Sequence, residues 1–496
     1  MRLARAWPFG ALLAMLVVSI AVNIATSKDP NFTGGDAPDY LATAYHLAHH
    51  QVYARDATGS EPHPGIGREP GYPVFLAALM RLDPGLGAFT PECASDAGKC
   101  DLSRFYVASV ANLVLVELSG VLLFLLAFRV TGNRGSGLVA AAYTLLNFHM
   151  NRFWQDPVSD RLAMFLVVVM MLTLSYAWGT RRTGRWSLFA AALAALTLTK
   201  AAFLPYSILL GTCATITLFV RRTDIKISPR VLGTIMFVYA LVVGGWLMRN
   251  FVASGELRIT DNRAGIVLST REVLDHMTPT QYAASFVYWT RGPGPGLARR
   301  LFAPEVIAPF GLDTPDGFFE LGQGGYNQRV EALIKAESTG FFDASAKIDH
   351  EVLRSILAHP LAYVATTLPV LYRGIWIDEF ALVGIPALIF ASWYAWRRRE
   401  ILRFVLMSVG IYNELFHALI SLNIPRYQIT AMPSVAVAAA ITFALLARRF
   451  SRNDGDFGHA ATAQGIAMAG RAADAVAARA PLAPPIVGGA QAHTAR

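Results

Sequence analysis

The sequence predicts an all-α polytopic membrane protein, and three observations lead to this class. Hydrophobic residues make up 54% of the 496 residues, charged residues only 16%, and the mean hydropathy is +0.41. Apolar runs of about 20 residues, the length needed to cross a bilayer, recur along the chain. Short basic turns separate these runs, as the positive-inside rule describes. The net charge of +9 therefore reports orientation in a lipid bilayer and predicts no nucleic-acid partner.

The apolar runs predict about ten spans. They are expected near residues 9–25, 104–128, 136–150, 161–178, 186–200, 202–220, 231–246, 380–396, 401–421 and 427–446. The first run lacks a clean cleavage site, so it is interpreted as an uncleaved helix. Residues 360–377 are expected to lie in the membrane interface, because a further span there would move Arg397 to Arg399 away from the side of the other basic turns.

This topology predicts one transmembrane module over residues 1–450. Two of its connections fall on the non-cytoplasmic side and should form interfacial helices: the first loop segment (31–102) and the long loop segment (249–360). Residues 451–496 are rich in Ala, Gly and Pro and are predicted to be a disordered cytoplasmic tail. Cys93 and Cys100 are expected to form a disulfide, which the non-cytoplasmic side permits.

The first loop segment opens with the stretch "GGDAPDYLATAYHLA". Asp36 stands where a helix N-cap is expected, with Pro38 in the first turn, and Tyr40 follows on one face of the helix. Capping alone could explain Asp36. Asp39 is expected to face solvent.

The same segment continues with "GIGREPGYPVFLAALMRL". Arg68 precedes a Pro-Gly-Tyr-Pro turn that contains Tyr72, and the apolar stretch after it is too short to span. A cation in this place can meet a lipid phosphate, or it can simply extend to the headgroups.

A third polar group lies in "NFHMNRFWQDPVSDRLAMF", between two predicted spans. Asp156 precedes a proline in the manner of an N-cap, and Asp160 lies at the mouth of the next span. A carboxylate at a membrane boundary costs about 2.5 to 3.5 kcal/mol to insert. We therefore expect Asp160 to have a cation, a metal ion or a water-filled cavity as its partner.

The fourth group is split between two distant stretches, "GGWLMRNFVASGE" and "NIPRYQITAMP". Arg249 ends one predicted span, and Arg426 with Tyr427 begins the last one on the same side. The topology therefore places two more cations opposite the carboxylates.

Together, the four groups resemble the motifs of GT-C glycosyltransferases that use polyprenyl-phosphate sugars, among them protein O-mannosyltransferases and lipid A aminoarabinose transferases. "GDAPDYLATAYHLA" is similar to their first-loop motif, "REPGYPVFLAAL" to R/K-x-P-x-Y-P, "WLMRNF" to W-x-x-R-N and "RYQITAMP" to R-Y-x-x-P-x-x-P. The elements occur in family order over nearly the whole chain up to Leu446. The resemblance implies a GT-C-like fold and a sugar donor carried on a polyprenyl phosphate.

Carried over by position, the resemblance assigns a role to each motif residue. It makes Asp36 the catalytic base, Arg68 a ligand of the lipid phosphate, Arg426 a further phosphate contact and Asp160 or Asp156 the second carboxylate. Tyr40, Tyr72, Arg249 and Tyr427 would line the substrate site. Many members have an acid directly after the first Asp, whereas Ala37 stands here, so participation of a divalent cation stays open. No cofactor is firmly implied.

The predicted function is inverting transfer of a sugar to a glycan, lipid or protein acceptor on the non-cytoplasmic face. The alternative is a polytopic transporter or flippase of a lipid-linked or anionic solute, which predicts ionisable residues in mid-span. A polysaccharide ligase or polymerase with a diphosphate donor is a further rival. Arginine outnumbers lysine, as is typical of GC-rich bacteria, and this favours a bacterial inner membrane.

Overall fold

The computed structural model describes residues 3–54, 62–95, 101–151, 153–219, 228–261, 263–376 and 380–450. These residues form helices joined by turns and irregular connections, and none of them lies in a β-strand. The predicted all-α class is therefore confirmed. Cys93 is disulfide-bonded, whereas Cys100 and the predicted tail 451–496 lie outside the described residues.

The α-helices are numbered here in chain order. The first eleven are α1 (Leu3–Ala25), α2 (Ala37–His49), α3 (Gly71–Leu82), α4 (Pro84–Gly87), α5 (Pro91–Ser95), α6 (Tyr106–Thr131), α7 (Arg134–Leu145), α8 (Phe148–Asn151), α9 (Asp160–Ala177), α10 (Thr183–Thr199) and α11 (Phe203–Phe219). The others are α12 (Pro229–Ser254), α13 (Arg263–Leu274), α14 (Pro279–Tyr288), α15 (Gly294–Leu301), α16 (Pro304–Ile307), α17 (Gly325–Glu337), α18 (Phe341–Ala358), α19 (Pro360–Ile375), α20 (Ala381–Arg397), α21 (Ile401–Ile420) and α22 (Met432–Phe450). A π-helical turn, Glu320–Gly324, precedes α17, and a 3₁₀ helix, Pro425–Thr430, precedes α22.

Five helices of the described residues are long and apolar enough to cross a membrane. They are Trp7–Ala25, Ser103–Thr131, Asp160–Ala177, Pro229–Ser254 and Met432–Phe450. The pair α18 and α19, which is bent by 95°, would add a sixth if it formed one span. The predicted number of about ten spans is therefore not confirmed.

The third predicted span, residues 136–150, accounts for one of the spans that are missing from this count. Its helix α7 has only 12 residues and ends at Leu145. Asn147 then accepts a hydrogen bond from the backbone N–H of Met150 at 3.2 Å and starts the separate helix α8. Twelve residues rise about 18 Å, which is too short for a bilayer core of about 30 Å.

Close helix packing sets the positions of the loop ends. A Cβ added to Gly120 of α6 would lie 2.5 Å from Leu145, and one added to Gly137 of α7 would lie 2.8 Å from Phe124. Such small residues let two helices approach closely. Helix α6 also packs on α9, α9 on α10, and α10 on α12. The start of α9 and the end of α10 therefore lie side by side.

Candidate active site at the helix ends

Asp36 is the centre of a charged cluster at the N-terminal end of α2. It occupies the N-cap position, yet its side chain makes no capping hydrogen bond. Its Oδ1 instead accepts hydrogen bonds from Nη1 of Arg68 and Nη2 of Arg263, each at 3.0 Å, and its Oδ2 pairs with Arg426. Capping therefore does not explain this carboxylate, on which three cations from distant parts of the chain meet.

Asp160 is the second carboxylate of the cluster. It is the first residue of α9, and its side chain is only 2% exposed. It pairs with Lys200, which directly follows α10, and its Oδ2 lies 2.9 Å from Nε of Arg426. Asp160 therefore has the cationic partners that a carboxylate at a membrane boundary needs, and Arg426 bridges it to Asp36.

Asp39 corrects one sequence-based expectation. It does not face solvent, because its Oδ2 accepts a hydrogen bond from Nε of Arg68 at 2.9 Å and also pairs with Nη2 of that guanidinium. The ring of Tyr40 lies beside the same guanidinium, 5.2 Å from its carbon. Asp39 thus fixes the orientation of Arg68 from one turn inside α2.

We call seven of these residues the ion cluster: Asp36, Asp39, Asp160, Arg68, Lys200, Arg263 and Arg426. It holds three carboxylates and four cations. The side chains of Arg68 and Asp160 are 6% and 2% exposed, whereas Asp36, Arg426 and Arg263 are 22%, 28% and 36% exposed. The cluster therefore has a buried side and an accessible side, and on the accessible side two cations accompany one acid.

The charges control the protonation of the central carboxyl. Burial would raise the pKa of Asp36, but the nearby Arg426 and Arg68 outweigh it and hold the pKa below its ordinary value. Burial would likewise lower the pKa of Arg426, yet Asp160 and Asp36 raise it. Asp36 is therefore ionised at neutral pH.

Tyr40 and Tyr72 lie behind the ion cluster and are fully or almost fully buried. The hydroxyl of Tyr40 donates to Ser159 Oγ at 3.1 Å, immediately before Asp160. The hydroxyl of Tyr72 accepts a hydrogen bond from Asn112 Nδ2 at 3.2 Å. The two rings meet edge to face, with centroids 5.3 Å apart. Both tyrosines join the first loop segment to the helices that hold Asp160.

Asp156 is placed as a support between two segments. Its Oδ1 accepts a hydrogen bond from the backbone N–H of Asn31 at 3.0 Å, and its backbone carbonyl accepts one from Asn112 at 3.1 Å. Burial raises the pKa of Asp156, partly offset by the hydrogen bond from Asn31. Of the two aspartates in this stretch, Asp160 is the one whose carboxylate pairs with cluster cations.

Arg249 lies outside the ion cluster, contrary to the convergence expected from its motif. Its guanidinium donates to the backbone carbonyls of Gly65 and Tyr53, the latter at 3.1 Å. It also lies 5.1 Å from the ring centroids of both Tyr53 and Trp246. Arg249 therefore attaches the first loop segment to the end of α12.

Tyr427 follows Arg426 in the 3₁₀ helix before α22. Its ring stacks on His417 with centroids 4.9 Å apart. Burial raises the pKa of Tyr427 to about 12. This packing holds the backbone from which Arg426 reaches the two carboxylates.

Sequence reasoning missed two other charged groups of the site, Arg263 and Glu69. Arg263 begins α13 in the long loop segment, where nothing in "TDNRAGIV" marks it for Asp36. Glu69 is buried beside Arg68 and accepts a hydrogen bond from the N–H of Ala201 at 3.3 Å. The sequence did give a weak indication that Lys200 is functional, because it is a cation at the end of an apolar run.

Among the residues that the structure describes, no group of three or more His, Cys, Asp or Glu side chains is arranged to hold a metal ion. The accessible side of the ion cluster instead offers guanidinium groups. These match the oxygens of a phosphate in pairs. Beside them, Asp36 offers an ionised carboxylate that can accept a proton.

The comparisons with known proteins found structural likeness only. No family model and no curated protein matches the chain. The oligosaccharyltransferase AglB from Archaeoglobus fulgidus, solved with an inhibitory peptide and a dolichol-phosphate, is similar at a TM-score of 0.48 and 11% identity, over 91% of this chain and 52% of that one. ArnT from Cupriavidus metallidurans, in the apo state, is similar at a TM-score of 0.32 and 14% identity, over 88% of this chain and 77% of that one.

The chain spans about half the length of the archaeal oligosaccharyltransferase. At these identities and TM-scores the likeness says nothing about the donor, the acceptor or the catalytic residues.

Proposed function

We propose that the chain is an integral membrane glycosyltransferase that moves a sugar from a polyprenyl-phosphate donor to an acceptor, with inversion and with Asp36 as the base. The ion cluster is the single observation that carries the proposal. Its four cations surround three carboxylates beside the ends of apolar helices, with Asp36, Arg263 and Arg426 partly accessible. A phosphate on a lipid tail needs both this charge and an adjoining apolar surface.

The donor phosphate is held by Arg68, Arg263 and Arg426 in this mechanism. Each of these guanidiniums has an oxygen of Asp36 as a partner in the structure. An incoming phosphate competes for the same donors and leaves an oxygen of Asp36 free to face the acceptor. Asp160, which is more deeply buried, keeps Lys200 and Arg426 in place.

Transfer is a single displacement at the anomeric carbon. The acceptor oxygen forms a bond to that carbon as the bond to the phosphate oxygen breaks, and the acceptor proton passes to Asp36. The guanidiniums stabilise the negative charge that develops on the leaving polyprenyl phosphate. Configuration inverts because no carboxylate attacks the sugar in this scheme, by analogy with the two-carboxylate logic of glycosidases.

The basic turns support a non-cytoplasmic position for this site. Arg181 and Arg182 lie in the turn after α9 and Arg185 in the first turn of α10, whereas Asp160 stands at the other end of α9. With the basic turns in the cytoplasm, the ion cluster lies at the opposite membrane surface. In a bacterium this would be the periplasmic or extracellular face of the inner membrane.

Radiolabelled transfer in membranes tests the proposal. Membranes containing the chain should move label from a polyprenyl-monophosphate sugar to envelope glycan, lipid or protein, and membranes without it should not. A polyprenyl-diphosphate sugar should be a poor donor. Transfer from the diphosphate alone would overturn the assignment of the donor. Absence of transfer from either donor would overturn the proposal that the chain is a glycosyltransferase.

Transport remains the second candidate because of one intramembrane acid. Glu117 lies near the middle of the candidate span Ser103–Thr131, and its Oε1 accepts a hydrogen bond from Ser19 Oγ of α1 at 2.6 Å. Ionisable groups at such depth often mark solute pathways. Accumulation of a lipid-linked or anionic solute in vesicles without any transfer would favour this function.

A further inference from the structure

Arg373, near the end of α19, is a buried cation without a carboxylate partner. The residue is 8% exposed, and its Nη1 has a single acceptor, the backbone carbonyl of Leu422 at 3.5 Å. Among the described residues, no Asp or Glu forms an ion pair with it, and its Nε and Nη2 have no hydrogen-bond acceptor. Buried charges are normally paired, because a lone buried charge loses its hydration without compensation. Arg373 therefore lacks an anion.

Another buried arginine shows that this fold can satisfy such a group. Arg271 is 0% exposed, and Asp275, two threonines and two backbone carbonyls accept hydrogen bonds from its nitrogens. The opposite holds for Arg373. Glu414 of α21 lies against the neighbouring Gly374, but it does not pair with the guanidinium of Arg373. The unused donors of Arg373 thus indicate a ligand as the missing partner.

An indole ring beside Arg373 offers a further donor. The guanidinium carbon lies 5.0 Å from the ring centroid of Trp289, and Nε1 of Trp289 is buried without a hydrogen-bond partner. The attraction of one aromatic ring for a cation is smaller than the hydration that a buried ion loses, so the ring does not replace an anion. A guanidinium and an indole N–H are both pure donors. Together they match the oxygens of a carboxylate or a phosphate.

A buried amide network joins α19 to the segment that carries Arg426. Asn423 donates from Nδ2 to the backbone carbonyl of Val370 in α19 at 3.1 Å, and its Oδ1 accepts a hydrogen bond from Gln428. Gln428 lies in the 3₁₀ helix Pro425–Thr430, as Arg426 does. The backbones that carry Arg373 and Arg426 are therefore held together through one side chain.

Tyr427 shows that Arg373 lies close to the ion cluster. Burial raises the pKa of Tyr427 to about 12, and the charges of Arg426 and Arg373 both act against this rise. The phenol is thus within electrostatic reach of a cluster cation and of the unpaired cation at once. A substrate whose phosphate binds Arg426 can therefore present a second charged group to Arg373.

We infer, on the basis of the proposed function, that Arg373 and the indole N–H of Trp289 bind a second anionic group of the substrates, separate from the donor phosphate. This group is a carboxylate or a phosphate, and it belongs to the transferred sugar or to the acceptor. In a hexuronic acid the carboxylate is attached to C5, across the ring oxygen from the C1 that carries the phosphate. Such a donor holds its phosphate at Arg426 and its carboxylate at Arg373.

Binding of matched compounds to the full chain in lipid nanodiscs tests this. A donor arm compares a polyprenyl-phosphate hexuronic acid with the corresponding hexose, and an acceptor arm compares an anionic with a neutral oligosaccharide. We expect the wild type to prefer the anionic compound in at least one arm, which identifies the source of the group. Arg373→Met should reduce that preference at least about tenfold, because charge-assisted hydrogen bonds are lost.

Two further variants make the binding test specific. Trp289→Phe keeps an aromatic ring but removes the indole N–H, so it should also reduce the preference. Arg354→Met changes an exposed arginine of α18 and should keep the preference of the wild type. An equal rise of the Kd of Arg373→Met for bare polyprenyl phosphate and for the hexuronic acid donor would make Arg373 a ligand of the donor phosphate and overturn the separate site.

Unfolding of the detergent-solubilised protein gives an independent readout. Arg373→Met removes an unpaired buried charge and keeps most of the side-chain volume, so the unfolding midpoint should be equal to or higher than that of the wild type. A loss of stability as large as that of Arg271→Ala would mean that the fold itself satisfies Arg373. That result would overturn the anion site.

Failure of this site and failure of the proposed function give different results. Equal binding of anionic and neutral compounds by the wild type in both arms, or an unchanged preference in Arg373→Met, would overturn the anion site, while transfer of the sugar would still support the glycosyltransferase. Absence of transfer from every donor, with an anionic preference that depends on Arg373, would overturn the glycosyltransferase and support the anion site.

Discussion

Two of the ion networks in the described part of the chain are built from the same residue types, and they differ in how fully the protein uses the donor groups of their arginines. Arg271 is fully buried, and Asp275, two threonines and the carbonyls of Tyr363 and Ala418 accept hydrogen bonds from its three nitrogens. In the ion cluster, Asp36 is shared by three guanidiniums, and Arg263 and Arg426 are 36% and 28% exposed.

The difference separates a structural network from a binding site. The protein itself uses every donor nitrogen of Arg271, so this cation has nothing left for a ligand. On the accessible side of the ion cluster, two cations, Arg263 and Arg426, share one acid, Asp36, so an added anion would improve the charge balance there. Burial and charge alone do not distinguish the two networks; the number of donors that remain for a ligand does.

Asp36→Asn should give the largest effect on activity. Loss of a general base slows reactions by about 10²- to 10⁴-fold, and we expect that range for the transfer rate at saturating donor. Folding should be retained, which unfolding of the detergent-solubilised protein would check. Asp343→Asn, at an exposed aspartate of α18, is the matched control and should behave as the wild type. A loss of less than about tenfold for Asp36→Asn would mean that another group takes the proton.

Arg271→Ala should give the largest effect on stability. It leaves Asp275 buried without its cation, and breaking a buried pair costs about 3 to 5 kcal/mol. Urea unfolding in detergent would measure this, with Arg354→Ala at an exposed arginine of α18 as the control. The double variant Arg271→Met with Asp275→Leu should recover much of the loss. Unchanged stability of the single variant would contradict a structural role.

Arg263→Gln should weaken donor binding modestly. Its guanidinium is partly exposed, so its hydrogen bond to Asp36 has a net worth of about 1 kcal/mol, and we expect about a threefold to tenfold rise in the Kd for the donor. The free energy of unfolding should fall by no more than about 1 kcal/mol, which is the net worth of that hydrogen bond. A large loss of stability with unchanged donor affinity would mean that Arg263, like Arg271, has a structural role and does not bind the donor.

The pH dependence should show the smallest effect. Because the arginines hold the pKa of Asp36 below its ordinary value of about 3.9, this carboxylate is ionised throughout neutral and mildly acidic pH. Its stabilising pairs are present above the unfolded pKa and are lost only as pH falls through the lower folded value. The transfer rate should therefore show no acid limb between pH 8 and pH 5. A limb centred above pH 5 that follows Asp36 would contradict this.

The sequence was sufficient for those site residues that stand beside a helix end. Asp36, Arg68 and Arg426 each follow or precede an apolar run within a recognisable motif. The predicted order of spans was therefore enough to place them at the same membrane surface. Arg263 could not be predicted, because its contact with Asp36 depends on how the long loop segment packs back onto the first loop segment. The opposite holds for Arg249. Its motif predicted that it would line the substrate site, but its guanidinium donates to backbone carbonyls of the first loop segment.

The same limit applies to the fold. Apolar runs located most of the long helices to within a few residues, because burial in lipid requires them. The length of a helix depends on where polar side chains compete for the backbone, as Asn147 does after α7. The count of spans was therefore less predictable than the helical class.

Binding of a polyprenyl monophosphate to the full chain in nanodiscs tests the central claim most directly. Arg426→Gln should raise the Kd at least tenfold, because a charge-assisted hydrogen bond is worth about 1.5 to 3 kcal/mol. Arg249→Gln removes an arginine bound to backbone carbonyls and should change the Kd less than about twofold. An equal effect of the two variants, or none for Arg426→Gln, would contradict a phosphate site at the ion cluster.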